Sequence, residues 1–459
     1  MKKLRLYNSL SNSLEDFIPL EENHVRMYVC GQTVYSSPHI GNARPMVIFD
    51  VLFRLLKKMY KTVTYVRNIT DVDDKINARA RERNISIDKL TDEVIRELHK
   101  SMELINLLPA SYEPRATLHI QEMLNIIQKL IDGGFAYAAH SHVLFRVRKM
   151  PNYGLLSKRS LDEMIAGSRV EVAPYKEDPM DFVLWKPAEE WTPSWDSPFG
   201  AGRPGWHVEC SAMSHKYLGE RFDIHAGGQD LMFPHHENEL AQNFGAFGCL
   251  MANYWIHNGM LLADGQKMSK SLGNIISLDE ILRQYDGEIV RYVLLSSHYQ
   301  KTLNWNQQAI FQAKKSLDRM YGALRLASSE KRLDMEENED YKVIEGLCSN
   351  LNTPLALHYL RQIADEIYKT TEQNTINKLC GRLRRGAKLL GLLERDCEDW
   401  FRANIRGEIS EAEIENLMKA RHLAKSEKNF QLADEIRAKL LEKNIRIEDM
   451  KDGSTWSRK

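Results

Sequence analysis

No apolar run in this chain approaches the ~18 residues that a membrane-spanning helix needs, which excludes a helical membrane protein. No secretory leader is expected either: basic residues stand in Met1-Lys2-Lys3-Leu4-Arg5, but Asn8, Asn12, Glu15 and Asp16 interrupt any apolar region behind them. Cytoplasmic residence is therefore the default. The six cysteines, Cys30, Cys210, Cys249, Cys348, Cys380 and Cys397, show no C-x-x-C spacing, so neither a disulfide framework nor a finger-type zinc module is expected. Net charge is also lacking, since 63 Lys+Arg balance 63 Asp+Glu, and any nucleic-acid surface must be local. There is no internal repeat and no low-complexity tract. What remains is a soluble globular composition, 43% hydrophobic and 27% charged over 459 residues, enough for two to four packed units.

Val25 to Cys30 alternates as a strand does. Ile48, Val51, Leu52, Leu55, Leu56 and Met59 then fall on one helix face, with Pro45 tolerated near its start, and β-branched Thr62 to Val66 predicts the next strand. Strand, helix, strand implies a right-handed parallel unit with a ligand crevice at the strand C-termini. The pattern is irregular between about 110 and 205, where "KPAEEWTPSWDSPFGAGRPGW" reads as an insertion or surface loops. A second α/β stretch runs from Trp206 to Leu262. From about 310 only helices are expected, with the acidic Asp334 to Asp340 as a solvated linker and a last helix pair carrying Leu432, Ile436 and Leu440.

Three groups of residues carry chemistry. His39-Ile40-Gly41-Asn42 sits where a strand feeds a helix N-terminus, a place that favours phosphate, and Gly41 admits a nucleotide close to the backbone. Lys267 and Lys270 of "KMSKS", introduced by Asp264-Gly265 and followed by Gly273-Asn274, suit a polyphosphate whose charge grows during displacement at the α-phosphorus. His235 and Glu239 stand i, i+4, a spacing that lets both bind one metal, with Cys30 and Cys210 as soft ligands to complete a tetrahedron. Taken singly, the same residues read as a solvated loop, a surface helix and structural thiols. Gly227-Gly228-Gln229-Asp230 offers a tight turn ending in a carboxylate that can accept from ribose hydroxyls. Basic clusters at Arg382, Arg384, Arg385 and Lys388, and at Lys419, Arg421, Lys425 and Lys428, are most simply solvated faces.

Together, "MYVCGQTVY", "NITDVDDKI", "GWHVECSAM", "FPHHENE", "KMSKSLGN" and the terminal "DGSTW" make the chain resemble the class I aminoacyl-tRNA synthetases and, among them, the bacterial-type cysteinyl enzymes, over nearly its whole length. The resemblance implies an α/β fold: a Rossmann-like parallel-sheet catalytic domain in two halves, 1–110 and 206–310, an inserted connective region over 111–205, and an all-helical C-terminal tRNA-binding region. The last comprises a helical anticodon-binding bundle at 311–400 and a small tRNA-recognition domain at 401–459.

It implies one zinc ion held by Cys30, Cys210, His235 and Glu239 that binds the substrate thiol, Mg2+ with ATP, and the partners L-cysteine, ATP and tRNA-Cys. No membrane partner is implied, and a monomer is expected. His39, Gly41 and Asn42 would contact ATP, Gly228 and Asp230 its adenosine, Lys267 and Lys270 the leaving pyrophosphate, and Thr70 and Trp206 would wall the amino-acid pocket beside Cys30. Asn42 stands where the family usually has His; an amide still donates a hydrogen bond. The alternative is a cysteine ligase of the mycothiol pathway with an amino-sugar acceptor, which would lack the helical C-terminal third.

Overall fold

Residues His24–Thr33 form strand β1 and Thr62–Thr70 strand β2, joined by helix α1, Ile40–Met59. In this computed structural model residues 3–161, 163–164, 173–269, 272–327, 341–403, 411–427, 429–443, 445–450 and 453–458 are described. Lys270, Lys428 and the 334–340 linker lie outside them. Strand β3 (Phe222–Gly228) pairs with the other flank of β1, and β4 (Ala252–Asn258) lies beyond it, so the all-parallel sheet runs β4-β3-β1-β2. Val25, Met27, Tyr28 and Val29 are all buried, as in a strand covered on both faces. Helix α1 buries Ile48, Val51, Leu52, Leu55 and Leu56 of the expected stripe and leaves Met59, at its end, half-buried, and Pro45 lies inside the helix.

The strand order reverses between β1 and β3. A ligand crevice opens at such a switch point, outside the carboxyl ends of the strands. Arg44 fastens the start of α1 there: fully buried, it donates to the carbonyls of Gly259 (2.8 Å), Met260 and Lys301 (2.5 Å).

The chain divides into two compact units. One comprises Met1–Asp279, Leu294–Asn306 and Tyr341–Leu357, and the other Glu280–Val293, Gln307–Asp340 and His358–Lys459. In the first, the irregular stretch resolves into helix Ile120–Asp132 and an antiparallel sheet of Ala136–Ala139, His142–Phe145, Phe182–Pro187 and Gly202–Pro204. Met123, Ile127 and Trp185 from this part share one core with Tyr28, Val66, Val208 and Trp255.

The second unit is mainly helical, with Tyr321 stacked on Trp400 at 4.5 Å. It corrects the helices-only expectation, because Ile445–Met450 and Gly453–Arg458 pair as an antiparallel hairpin. Ile445, Ile447 and Trp456 pack on Ile414, Ile436 and Leu440. A six-residue alternation is too short for periodicity to separate it from the end of a helix. Arg421 also departs from a solvated face: it is buried and forks onto Asp449 at 2.9 and 2.9 Å. Among the described residues no helix is long and apolar enough to cross a membrane.

Candidate active site

The site begins at an irregularity in β1. Val29 faces Arg67 and Gln32 faces Ile69, so Cys30 and Gly31 together oppose Asn68, which is a bulge that re-aims the side chain. Only glycine fits at 31, since a Cβ there would fall 1.6 Å from the Asn68 carbonyl oxygen. The Cys30 Sγ lies 3.8 Å from the Sγ of Cys210, on helix α2 (Trp206–Leu218), and 3.5 Å from Glu239 Oε1. Glu239 sits in α3, Glu237–Phe247, which follows a kinked segment, Met232–His236, extended at Phe233 (φ −138°, ψ 132°), that carries His235. His235 Nε2 is 3.1 Å from Glu239 Oε1.

These separations fit a tetrahedral ion. Bonds of about 2.3 Å to sulfur and about 2.1 Å to nitrogen or oxygen require about 3.8 Å between two thiolates, about 3.6 Å from thiolate to carboxylate and about 3.4 Å from imidazole to carboxylate. All four donor atoms lie within 4.8 Å of one another. A second set, Cys30, His225, His236 and Glu239, is equally gathered. The sets share Cys30 and Glu239 and so compete for one ion. The first brings two thiols and is the softer.

Protonation and outer contacts favour the same set. Burial pushes the thiols of Cys30 and Cys210 up, so their anions need a cation beside them. Burial also holds His235 neutral, at about 3, the state a ligand requires. The Nδ1 of His235 meets His207 Nδ1 at 3.0 Å, which leaves Nε2 for the site. Burial pushes the Glu239 carboxyl up, but His225 and His235 outweigh it and hold it below its usual range. His225 Nε2 takes Glu239 Oε2 at 2.8 Å and leaves Oε1 facing the thiols. Trp206 is exposed and stacks on His235 at 4.3 Å, while Thr70 is buried at the end of β2.

The loops bearing His39 and Lys267 meet at the start of α1. His39 caps α1, and Asn42 Oδ1 accepts its N–H at 3.1 Å, which leaves the Asn42 amide nitrogen outside the cap. A Cβ on Gly41 would come within 2.9 Å of both the His39 ring and Met268 Cε, so the loop bearing Lys267 packs directly on the start of α1. Ile40 N–H donates to Ile276 at 3.0 Å and Leu278 N–H to Pro38 at 2.9 Å, closing that contact. Asp264 and Gly265, both at positive φ, make the two-residue turn between Leu261–Ala263 and Gln266–Lys267. The Lys267 side chain is exposed.

Burial pushes the His39 imidazole down, and Asp230 opposes the shift. Asp230 curls over Gly228, where a Cβ would lie 2.4 Å from its Oδ1. Sequence reading missed His207, His225, His236 and His257. Their signal was density: six of the 15 histidines fall between 207 and 257.

A parallel sheet reversing at this crevice, with the His39 and Lys267 loops packed together, is the architecture of a class I synthetase. Residues 16–315 match the family model of tRNA synthetases class I (C) catalytic domain. Methionyl-tRNA synthetase of Mycobacterium tuberculosis in complex with methionyl-adenylate shares the fold, with a TM-score of 0.56 at 15% identity over 80% of this chain and 89% of that one. A putative arginyl-tRNA synthetase from Campylobacter jejuni gives 0.54 at 12% identity over 81% and 94%. Full-length relatives narrow the class. The cysteine–tRNA ligase of Paramagnetospirillum magneticum is 50% identical over 456 residues, 99% of each chain, and that of Ehrlichia canis 48% over 99% and 100%. The chain belongs to the cysteine–tRNA ligase family.

Proposed function

We propose that the chain activates L-cysteine with Mg-ATP and transfers it to the 3′ end of tRNA-Cys. The observation that carries this reading is the Cys30, Cys210, His235 and Glu239 cluster at the switch point of a chain 50% identical, end to end, to a cysteine–tRNA ligase. In the first step a cysteine carboxylate oxygen attacks the α-phosphorus, the bond to the bridging oxygen breaks and pyrophosphate leaves. In the second, a ribose hydroxyl of the terminal adenosine attacks the carbonyl and AMP leaves. No covalent enzyme intermediate is needed.

His39, Gly41 and the Asn42 amide hold the phosphates at the start of α1, where free N–H groups favour anions. Gly228 and Asp230 hold the adenosine, and Lys267 and Lys270 offset charge developing on pyrophosphate. Zinc bound by the four-residue cluster would supply a soft Lewis acid for the substrate sulfur. Thr70 and Trp206 line the amino-acid pocket. The halves 1–110 and 206–310 form the catalytic domain, and the parts from 311 to 400 and from 401 to 459 hold the tRNA.

The amino-sugar alternative is disfavoured by the full-length match, which includes the helical third. Cysteine-dependent ATP–pyrophosphate exchange, followed by charging of tRNA-Cys and of an amino-sugar acceptor side by side, tests the reading. Exchange without cysteine dependence, or charging of the sugar alone, would overturn it.

A further inference from the structure

The two thiols lie on different elements, and one of them lies on a bulge. The extra residue of a bulge loses its ladder partner, so the backbone at Cys30 and Gly31 is the part of β1 that the sheet itself fixes least. The side chain of Asn68, buried in β2, supplies the missing hydrogen bond: Gly31 N–H donates to Asn68 Oδ1 at 2.8 Å. Its Nδ2 donates in turn to Thr70 Oγ1 at 3.2 Å. Thr70, at the end of β2, is buried as well.

We propose that Asn68 is a positioning residue for the metal-binding thiol of Cys30, tying the backbone that follows Cys30 to the end of β2 through a one-way pair of buried hydrogen bonds. This inference rests on the zinc reading given above.

The direction of the chain follows from the groups available. A backbone N–H only donates, so the atom facing Gly31 is the Asn68 oxygen, and the amide nitrogen must face Thr70. That nitrogen only donates, so the Thr70 hydroxyl oxygen accepts it. Each link fixes the sense of the next, and serial bonds of this kind polarise one another. No other side chain of similar size does this work. Aspartate keeps the acceptor for Gly31 and loses the donor to Thr70, while leucine fills the space and loses both. The 3.8 Å between Cys30 and Cys210 leaves little slack for a tetrahedral ion. A drift of the Cys30 backbone therefore reaches the metal before it reaches the fold.

The test compares full-length Asn68→Leu and Asn68→Asp with the parent, using zinc content, zinc affinity by chelator competition, and the KM for cysteine and for ATP in pyrophosphate exchange. The zinc dissociation constant is expected to rise about tenfold or more in Asn68→Leu and less in Asn68→Asp, as for other groups that orient ligands. The KM for cysteine should rise while that for ATP stays near the parent value. A merely structural role would instead lower the melting temperature equally with and without zinc and leave affinity alone. Zinc affinities within twofold of the parent in both variants would overturn the inference. If Asn68→Leu does not fold, Asn68→Asp decides. A parent that binds no zinc overturns the zinc reading itself, and this inference with it; a zinc-binding parent with equally avid variants overturns the positioning role alone.

Discussion

His225 Nε2 and Glu239 Oε2 lie 2.8 Å apart with both side chains fully buried, so one carboxylate oxygen is held by the imidazole and the other is turned to the thiols. The first prediction follows. Without His225 the Glu239 carboxylate can rotate or take a proton, so His225→Ala should weaken zinc binding by about 10- to 100-fold in protein that remains helical by circular dichroism. Chelator competition checks this, and parent-like affinity would remove His225 from the site.

Gly41 separates activity from stability. A methyl group there meets the His39 ring and Met268 at 2.9 Å, which pushes the loop bearing Lys267 off the start of α1. Alanine is also the better helix former by about 0.5–1 kcal/mol. Gly41→Ala is therefore expected to slow pyrophosphate exchange by about tenfold or more while the melting temperature holds or rises. A fall in both would mean the glycine serves folding.

Glu288 sets a pH dependence in the second unit. Its carboxyl accepts from the backbone N–H groups of Leu393 (2.9 Å) and Glu394 (3.0 Å) and from the Tyr321 hydroxyl (3.0 Å), and burial pushes it up to about 7 from an ordinary 4.5. The native state thus keeps a proton that the unfolded chain releases. This contribution is fully present below about pH 4.5 and is lost as pH rises through about 7, at most about 3 kcal/mol in all. Between pH 5 and 8.5, urea unfolding of the parent should lose about 2 kcal/mol more than Glu288→Gln. Parallel losses would show that the carboxyl is ionised throughout.

Arg421 and Lys419 share one basic run but have different parts to play. Arg421 is buried and bidentate on Asp449, and it also reaches Ser454 at 3.1 Å, so it joins its helix to the terminal hairpin. Lys419 instead lines a cavity of about 490 Å³ with Met418, His422 and Trp456. Arg421→Ala should loosen the hairpin and reduce charging at every salt concentration. Lys419→Ala should leave the melting curve alone and reduce the salt dependence of tRNA binding by a slope of about 1. Equal effects of the two variants would contradict this division.

What could be read in the sequence was whatever had a period or a motif. The stripe on α1 and the parallel order of β1 and β2 followed from apolar spacing, whereas ligand spacing only offered Cys30, Cys210, His235 and Glu239 as a set and the family resemblance singled it out. The bulge at Cys30 and Gly31 could not be read, because it depends on which residue of β2 lies opposite. The same holds for His225 and His207, whose parts are set by a neighbour far away in the chain. The burial of Arg421 was hidden because a charge paired across a hairpin looks, in one dimension, like a charge facing water.

Selectivity exposes the zinc reading most directly. Cysteine and serine differ by one atom, and a pocket that judges size alone separates such near-isosteres by only ~1–3 kcal/mol. The cluster offers another basis for the choice. Two thiols, an imidazole held neutral at about 3 and a carboxylate fixed by His225 form a donor set suited to a borderline-soft ion, and that ion prefers sulfur to a hydroxyl that stays protonated at neutral pH. About one zinc per chain is expected. A cobalt-substituted sample should show a thiolate charge-transfer band that changes on adding cysteine and not serine. Cys210→Ser and His235→Ala should lose cysteine affinity severely, and metal removal should abolish cysteine-dependent exchange without raising exchange with serine. Cysteine selectivity that survives complete removal of the metal would place discrimination elsewhere in the pocket, with Thr70 and Trp206 the next residues to test.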